Sequence, residues 1–156
     1  MSTVNILTSP IINGTPTGSG LPTYVLKRGD GSGTYTTAQT TFQDVDVTNL
    51  SHSTTVPTGW KLSVQMSGGM YPSTLAVNVY VALYDGDVVK DAATVADTTS
   101  TTPFYLQTII TGDNAVHYIR MRFKTSNVGA AANLSNSTVN SVLLVPSILL
   151  RLEPAN

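Results

Sequence analysis

With 156 residues, 8 Lys+Arg, 9 Asp+Glu and a formal net charge of -1, the chain is long enough for one domain with its own core, and nucleic acid is not an expected partner, since binding its phosphates requires a basic surface. Charged residues are 11% of the sequence and hydrophobics 41%, against about 25% charged in an average soluble protein, so Thr, Ser, Asn and Gly stand where charge would be, and these residues favour strands and turns over helices. The absence of cysteine excludes disulfides and thiolate metal centres.

Residues 1–22 stand apart. "MSTVNILTSPIINGTPTGSGLP" has Pro10, Pro16 and Pro22, Gly14, Gly18 and Gly20, and almost no charge. It has no positive leader, and no apolar run in the chain reaches the ~18 residues of a membrane span. The expectation is therefore a chain made without an export signal and with no membrane partner. A plain linker would not need Val4, Ile6, Leu7, Ile11 and Ile12. They mark the segment as an extended arm that anchors on another surface.

From Thr23 onward strands alternate with turn signals. "TYVLKR" (23–28) is the first strand, broken by the glycines of "GDGSG". "TFQDVDVTNL" (41–50) and "HSTTV" (52–56) follow. In "WKLSVQMS" (60–67), Trp60, Leu62, Val64 and Met66 face one way and Lys61, Ser63, Gln65 and Ser67 the other, a half-buried strand of period two. "GGMYPS" is expected to be a loop. "LAVNVYVALYD" (75–85) again alternates, with Leu75, Val77, Val79, Val81 and Leu83 inward. The turn "DGD", a ribbon at 88–95 and a Thr-rich loop lead to 104–111 and 116–124, joined by "GDNA" as a hairpin. A polar loop then precedes the last strand, within 143–152. No segment shows a capped helical period. The reading is an all-β, antiparallel two-sheet jelly-roll sandwich over 23–156, preceded by the arm at 1–22.

Candidate chemistry is sparse. His117 shares a strand face with Ile119, Met121 and Phe123 and reads as a core or boundary residue. His52 has no partner histidine at metal-binding spacing. No G-x-S-x-G elbow places a nucleophile, so neither catalysis nor a required metal or cofactor is expected. Asp44/Asp46 and Asp85/Asp87 are acidic pairs that leave a calcium reading open. The N-x-S/T triplets at Asn13, Asn49, Asn133 and Asn136 are what a chain rich in Asn, Ser and Thr contains by chance. Arg28-Gly29-Asp30 reads as a strand reversal rather than a receptor ligand, since no helix or Gly-Lys-Ser/Thr ending follows to make a phosphate loop.

The last strand breaks the alternation expected of a sheet with one wet face. In "LLVPSILLRL", Ile148, Leu150 and Leu152 lie on one side, and Leu143, Val145 and Leu149 are apolar on the other. A strand apolar on both faces needs a second partner.

The stretches "YTTAQTTFQDVDVTNLSHSTTVPTGWKLSVQMSG", "VNVYVALYDGDVV" and "VHYIRMRFKTSNVGAAANLSNSTVNS", with the closing apolar strand, resemble phage virion knob domains that have a tumour-necrosis-factor or complement-head type jelly roll. The resemblance covers roughly 35–153 and its motifs are structural. It implies a phage structural protein on the virion surface: a trimeric capsid decoration protein or head-fibre knob that binds and stabilises the shell. Its partners would be further copies of itself and the major capsid protein or another virion protein. The short arm and the lack of heptads favour decoration over a tail-fibre tip. A fibre tip or a carbohydrate-binding sandwich recognising host surface glycans is the alternative, with Tyr71, Tyr80, Tyr84 and Tyr118 as its aromatic platform. In such a family the last strand lies in the sheet lining the three-fold axis. Strand 116–124 is then expected beside it, contributing Tyr118, Arg120 and Arg122 to a trimer interface with Val145 and Leu149, and Glu153 or a solvent anion near the arginines.

Overall fold

The computed structural model describes residues 22–31, 33–96, 98–135, 138–139, 142–143 and 145–155. The arm residues Val4, Ile6, Leu7, Ile11 and Ile12 lie outside them. In chain order the strands are β1 (Thr23–Arg28), β2 (Tyr35–Thr37), β3 (Gln43–Asp44), β4 (Ser51–Thr55), β5 (Trp60–Pro72), β6 (Val79–Asp85) and β7 (Val88–Val95). They continue as β8 (Thr102–Thr111), β9 (Val116–Thr125), β10 (Ala132–Ser135), β11 (Thr138–Val139), β12 (Val142–Leu143) and β13 (Ser147–Pro154).

Two antiparallel sheets face each other in a jelly-roll-like sandwich. The first runs β1-β13-β5-β10-β2, with β8 on the other edge of β5. The second runs β3-β9-β6-β7, with β4 also paired to β9. β11 and β12 form a small separate ribbon. Period-two patterning decides which residues meet between the layers. Leu62, Val64 and Met66 of β5, Leu106 and Ile110 of β8, and Ile148 and Leu150 of β13 face Val79, Val81 and Leu83 of β6 and Ile119, Met121 and Phe123 of β9 in one core. Burying each such side chain contributes roughly 1.5–3 kcal/mol.

Three expectations fail at element boundaries. Gly68-Gly69 does not open a loop, because β5 runs on to Pro72 and pairs with both β8 and β10. A Cβ on Gly68 would come within 2.9 Å of the Phe104 ring, so glycine here admits a close-packed aromatic instead of a turn. Leu75 does not face inward: it is 64% exposed, and Ala76 at φ 62 turns the chain before β6 begins. In the 41–50 stretch only Gln43–Asp44 is strand, after which Asp46 organises a turn. Its carboxylate accepts hydrogen bonds from the Thr48 and Asn49 backbone N–H groups, each at 2.9 Å.

Two links tie separate parts of the sandwich together. At one end, the β8–β9 turn interlocks with the turn between β4 and β5. Gly112 N–H donates to Trp60 O (2.8 Å), Asn114 N–H to Val56 O (3.0 Å) and Thr58 N–H to Asn114 Oδ1 (2.9 Å). Along one side, Asp91 of β7 accepts from the backbone N–H of Gln107 in β8 (2.9 Å), joining the two sheets through a side chain.

Candidate functional site

The two outer faces of the sandwich differ in kind. On the second sheet, β9 carries Tyr118, Arg120, Arg122 and Lys124 at alternate positions, opposite Tyr84 and Tyr80 of β6 and Asp44 of β3. The guanidinium of Arg120 stacks on Tyr118 (5.0 Å) and that of Arg122 on Tyr84 (4.7 Å), while Lys124 lies over both Phe42 (4.8 Å) and Tyr80 (5.0 Å). Asp44 sits between the arginines, Oδ2 at 3.4 Å from Arg120 Nη1 and Oδ1 at 3.3 Å from Arg122 Nε. The second of these is a charge contact without hydrogen-bond alignment. Arg120 also reaches Asp87 (3.0 Å) and the Gly86 carbonyl, and Arg122 Nη2–H donates to Phe42 O (2.8 Å). This face is covered by its own long side chains. Tyr80, Tyr84 and Tyr118 are engaged with cations of the same chain and do not stand out as a platform.

The outer face of the first sheet is open. Cross-strand register sets Tyr24, Arg151, Ser63 and Ile109 in one row and Leu26, Leu149, Gln65 and Gln107 in the next. Small polar residues in the middle leave a hollow of about 240 Å³ lined by Tyr24, Ser63, Gln65, Leu149 and Arg151. Tyr24, Leu26, Tyr105 and Ile109 are all exposed on this face, Ile109 to 66%. The alternation in "TYVLKR" contained part of this signal, since it sets Tyr24 and Leu26 on one side of β1. Which strands would flank them was not written there.

The sequence-predicted interface residues therefore fall on two opposite surfaces. Leu149 is half-buried in the first sheet's outer face, with Val145 just before β13, whereas Tyr118, Arg120 and Arg122 lie on the second sheet. The expectation that strand 116–124 borders the last strand is corrected: β13 is inserted between β1 and β5, and the edges of β9 are taken by β6 on one side and β3 and β4 on the other. Glu153 is likewise not beside those arginines. It pairs with Lys61 (3.5 Å) and Arg151 (2.6 Å).

The titratable groups are held by specific partners. Asp44 and Asp46 do not share a face. Asp44 turns to the arginines, and Asp46 Oδ2 accepts from the Tyr35 hydroxyl and from Asn49 Nδ2, both at 2.9 Å. Burial, opposed in part by the Asp30 N–H and reinforced by Asp46, pushes the Tyr35 phenol up to about 12. Burial would raise the Asp46 carboxyl, but the Asn49, Tyr35 and Thr48 hydrogen bonds outweigh it and lower its pKa. Asp85 accepts from or pairs with His117 Nδ1 (2.8 Å) and lies 3.7 Å from Lys90 Nζ, while His117 Nε2 is 3.1 Å from Asp113. Burial would lower the His117 pKa, yet the two carboxylates more than offset it and raise it. His117 is thus a boundary residue, as its strand pattern suggested, at the rim where the inner face meets water. Burial and then the charge of Lys27 lower His52. Among the described residues no group of three His, Asp or Glu side chains is arranged to hold a metal ion.

Arg28 ends β1, Gly29 N–H donates to Pro146 O (2.9 Å) and Asp30 N–H to the Tyr35 hydroxyl (3.2 Å), so the tripeptide forms the start of a turn. Of the glycosylation triplets, Asn133 is buried and accepts from Thr36 Oγ1 (2.9 Å).

The chain matches no protein-family model and no curated protein. Among solved structures it is similar to dimeric latent PorU from Porphyromonas gingivalis at 9% identity and a TM-score of 0.47, with 85% of this chain and 13% of that one covered. It is also similar to infectious bursal disease virus, Gx strain, at 13% identity and a TM-score of 0.45, covering 94% and 41%. A third likeness is to the Stig cyclase Fisc from Fischerella sp. TAU at 10% identity and a TM-score of 0.38, covering 90% and 93%. The chain thus spans 13% of PorU and less than half of the viral protein. Identities and scores this low carry no residue and no role across.

Proposed function

We propose that the chain is a phage structural protein, a homotrimeric knob of the capsid-decoration or head-fibre type with a tumour-necrosis-factor-like arrangement, displayed on the virion surface. The observation that carries this reading is the open outer face of the first sheet. Its second strand is β13, the strand with Leu149 apolar on the side away from the core, and β1 and β8 add Tyr24, Leu26 and Ile109 to the same face. Exposed apolar side chains gathered on one face mark a protein contact. The resemblance of 35–153 to trimeric virion knobs supplies the kind of contact: copies of the same chain packed through the sheet that holds the last strand. The second-sheet arginines belong to the same reading as a self-covered outer surface. No catalytic group and no cofactor enters it.

The test is the oligomeric state. Wild type is expected to sediment as a trimer at micromolar concentration, and Leu149→Asp as a monomer with a lower melting temperature, since covering Leu149 contributes roughly 1.5–3 kcal/mol per chain. A monomeric wild type overturns the knob reading. Cryo-microscopy of the source virion, with this density on three-fold or six-fold capsid positions or at the tail, decides the location.

A further inference from the structure

We propose that His52 is an acid-sensitive latch between the two sheets: protonation of its ring loosens the edge strand β1 from β4 while the rest of the sandwich stays folded. β1 and β4 meet along one side of the molecule without a shared backbone ladder, because β1 is bonded to β13 in the first sheet and β4 to β9 in the second. β1 turns Thr23, Val25 and Lys27 inward, and β4 turns His52 and Thr54 inward. Between the two strands lies a hollow of about 20 Å³, walled by Val25, Leu62, Leu150 and Leu152 with His52 at its side. That is room for about one water molecule. Across the seam Lys27 Nζ donates to Thr48 O at 3.4 Å, a long and exposed bond. The seam is thus closed by apolar contact and a weakly bonded cation.

The groups around the ring decide the sign of the effect. β1 offers Lys27, a permanent cation, while β13 and β5 offer Leu150, Leu152 and Leu62. On β9, Ile119 is the register partner of His52, and His117 lies one pair along on the same face, held by Asp85 and Asp113. Asp46, the nearest carboxylate in sequence, is turned to Tyr35, Thr48 and Asn49. No carboxylate lines the hollow, so a charged imidazolium there loses water beside a second cation with nothing to balance it. Burial, and then Lys27, accordingly hold the His52 pKa below the ordinary 6.5. A ring held in this way carries no penalty above about pH 6.5, and the penalty grows as pH falls through the lowered value, the reverse of His117. β1 is the element that yields. It lies at a sheet edge, has no fully buried residue, and ends at a glycine-rich turn in which Gly31 stands at φ 77. Its outer side carries Tyr24 and Leu26, so loosening it also disturbs the face proposed above as the contact between copies; that consequence rests on the trimeric reading, and the latch does not.

Hydrogen exchange on the full chain tests the latch strand by strand. After correction for intrinsic exchange rates, protection of the β1 amides that bond β13 should fall several-fold in wild type between about pH 7.5 and about pH 5, while β6 and β9 hold or gain protection. His52→Gln should keep β1 protection level over the same range. An unchanged β1 in wild type, or an equal fall in His52→Gln, overturns the latch. The ring gives a second reading that needs no variant to fold: an NMR titration placing His52 at or above its ordinary pKa also overturns it. Because exchange is read on β1 of each chain, the result is the same question for a monomer and for a trimer.

Discussion

The imidazole of His117 bridges the end of β6 and the β8–β9 turn, and its two carboxylate partners make that bridge depend on pH. Its pKa is raised above the ordinary 6.5, so the stabilisation from the charged ring is complete below about pH 6.5 and is lost as pH rises through the raised value. Asp113 works in the opposite direction. Its carboxyl is lowered below 3.8, first by the Ala115 N–H and then by His117, so its share is present above about pH 4 and is lost as pH falls through the lowered value. The bridge is strongest between these limits. The melting-temperature difference between wild type and His117→Gln should therefore be largest near pH 5–6 and shrink towards pH 9. An NMR titration placing the ring at or below its ordinary value speaks against the bridge.

Among the elements, the interlocked turns at the β8–β9 end are the least forgiving. A Cβ on Gly112 would lie 1.8 Å from Pro57 O and 2.8 Å from Trp60 O, both backbone atoms that cannot swing away. Gly112→Ala should cost about 3 kcal/mol, read as a drop in the denaturant midpoint. A loss of only a few tenths would show that the two turns are not held together. Glycine is also where the sequence was hardest to read. Gly68-Gly69 and the "GDGSG" run look alike on paper, yet the first lies inside β5 against Phe104 and the second follows the end of β1. Strands with one wet face, such as 60–67 and 116–124, were legible because alternation reports burial directly. The 132–135 strand was read as loop because Ala132, Asn133, Leu134 and Ser135 are all buried and show no alternation. Residues 75–78 erred the other way: they alternate, but Asn78 exchanges hydrogen bonds with Ser126 in a loop pair.

For the whole molecule, strand faces could be read from sequence but their neighbours could not. The apolar back of the last strand was evident from Leu149, and its partners β1 and β5 were not, because adjacency across a sandwich is fixed by crossovers that leave no periodic trace. That is why Tyr118, Arg120 and Arg122 were assigned to the wrong neighbour. Attachment to a particle belongs to the same scale. If residues 1–22 are the anchoring arm, removing them should leave a folded sandwich with near-unchanged melting and no binding to its capsid. Undiminished binding by the truncated chain refutes the arm.

The Asp91 carboxylate bound to the Gln107 backbone has a consequence for life at high concentration. A free strand edge is a template on which another chain can add its own backbone, and crowded all-β proteins grow fibrils from such edges. Asp91 occupies one amide of the β8 edge and sets a negative charge beside it, so an incoming strand loses a ladder bond and meets an anion. Asp91→Ala should fold with only a small loss of stability yet form thioflavin-positive aggregates on storage at millimolar concentration, where wild type stays clear. Equal clarity of both proteins would mean that something else protects this edge.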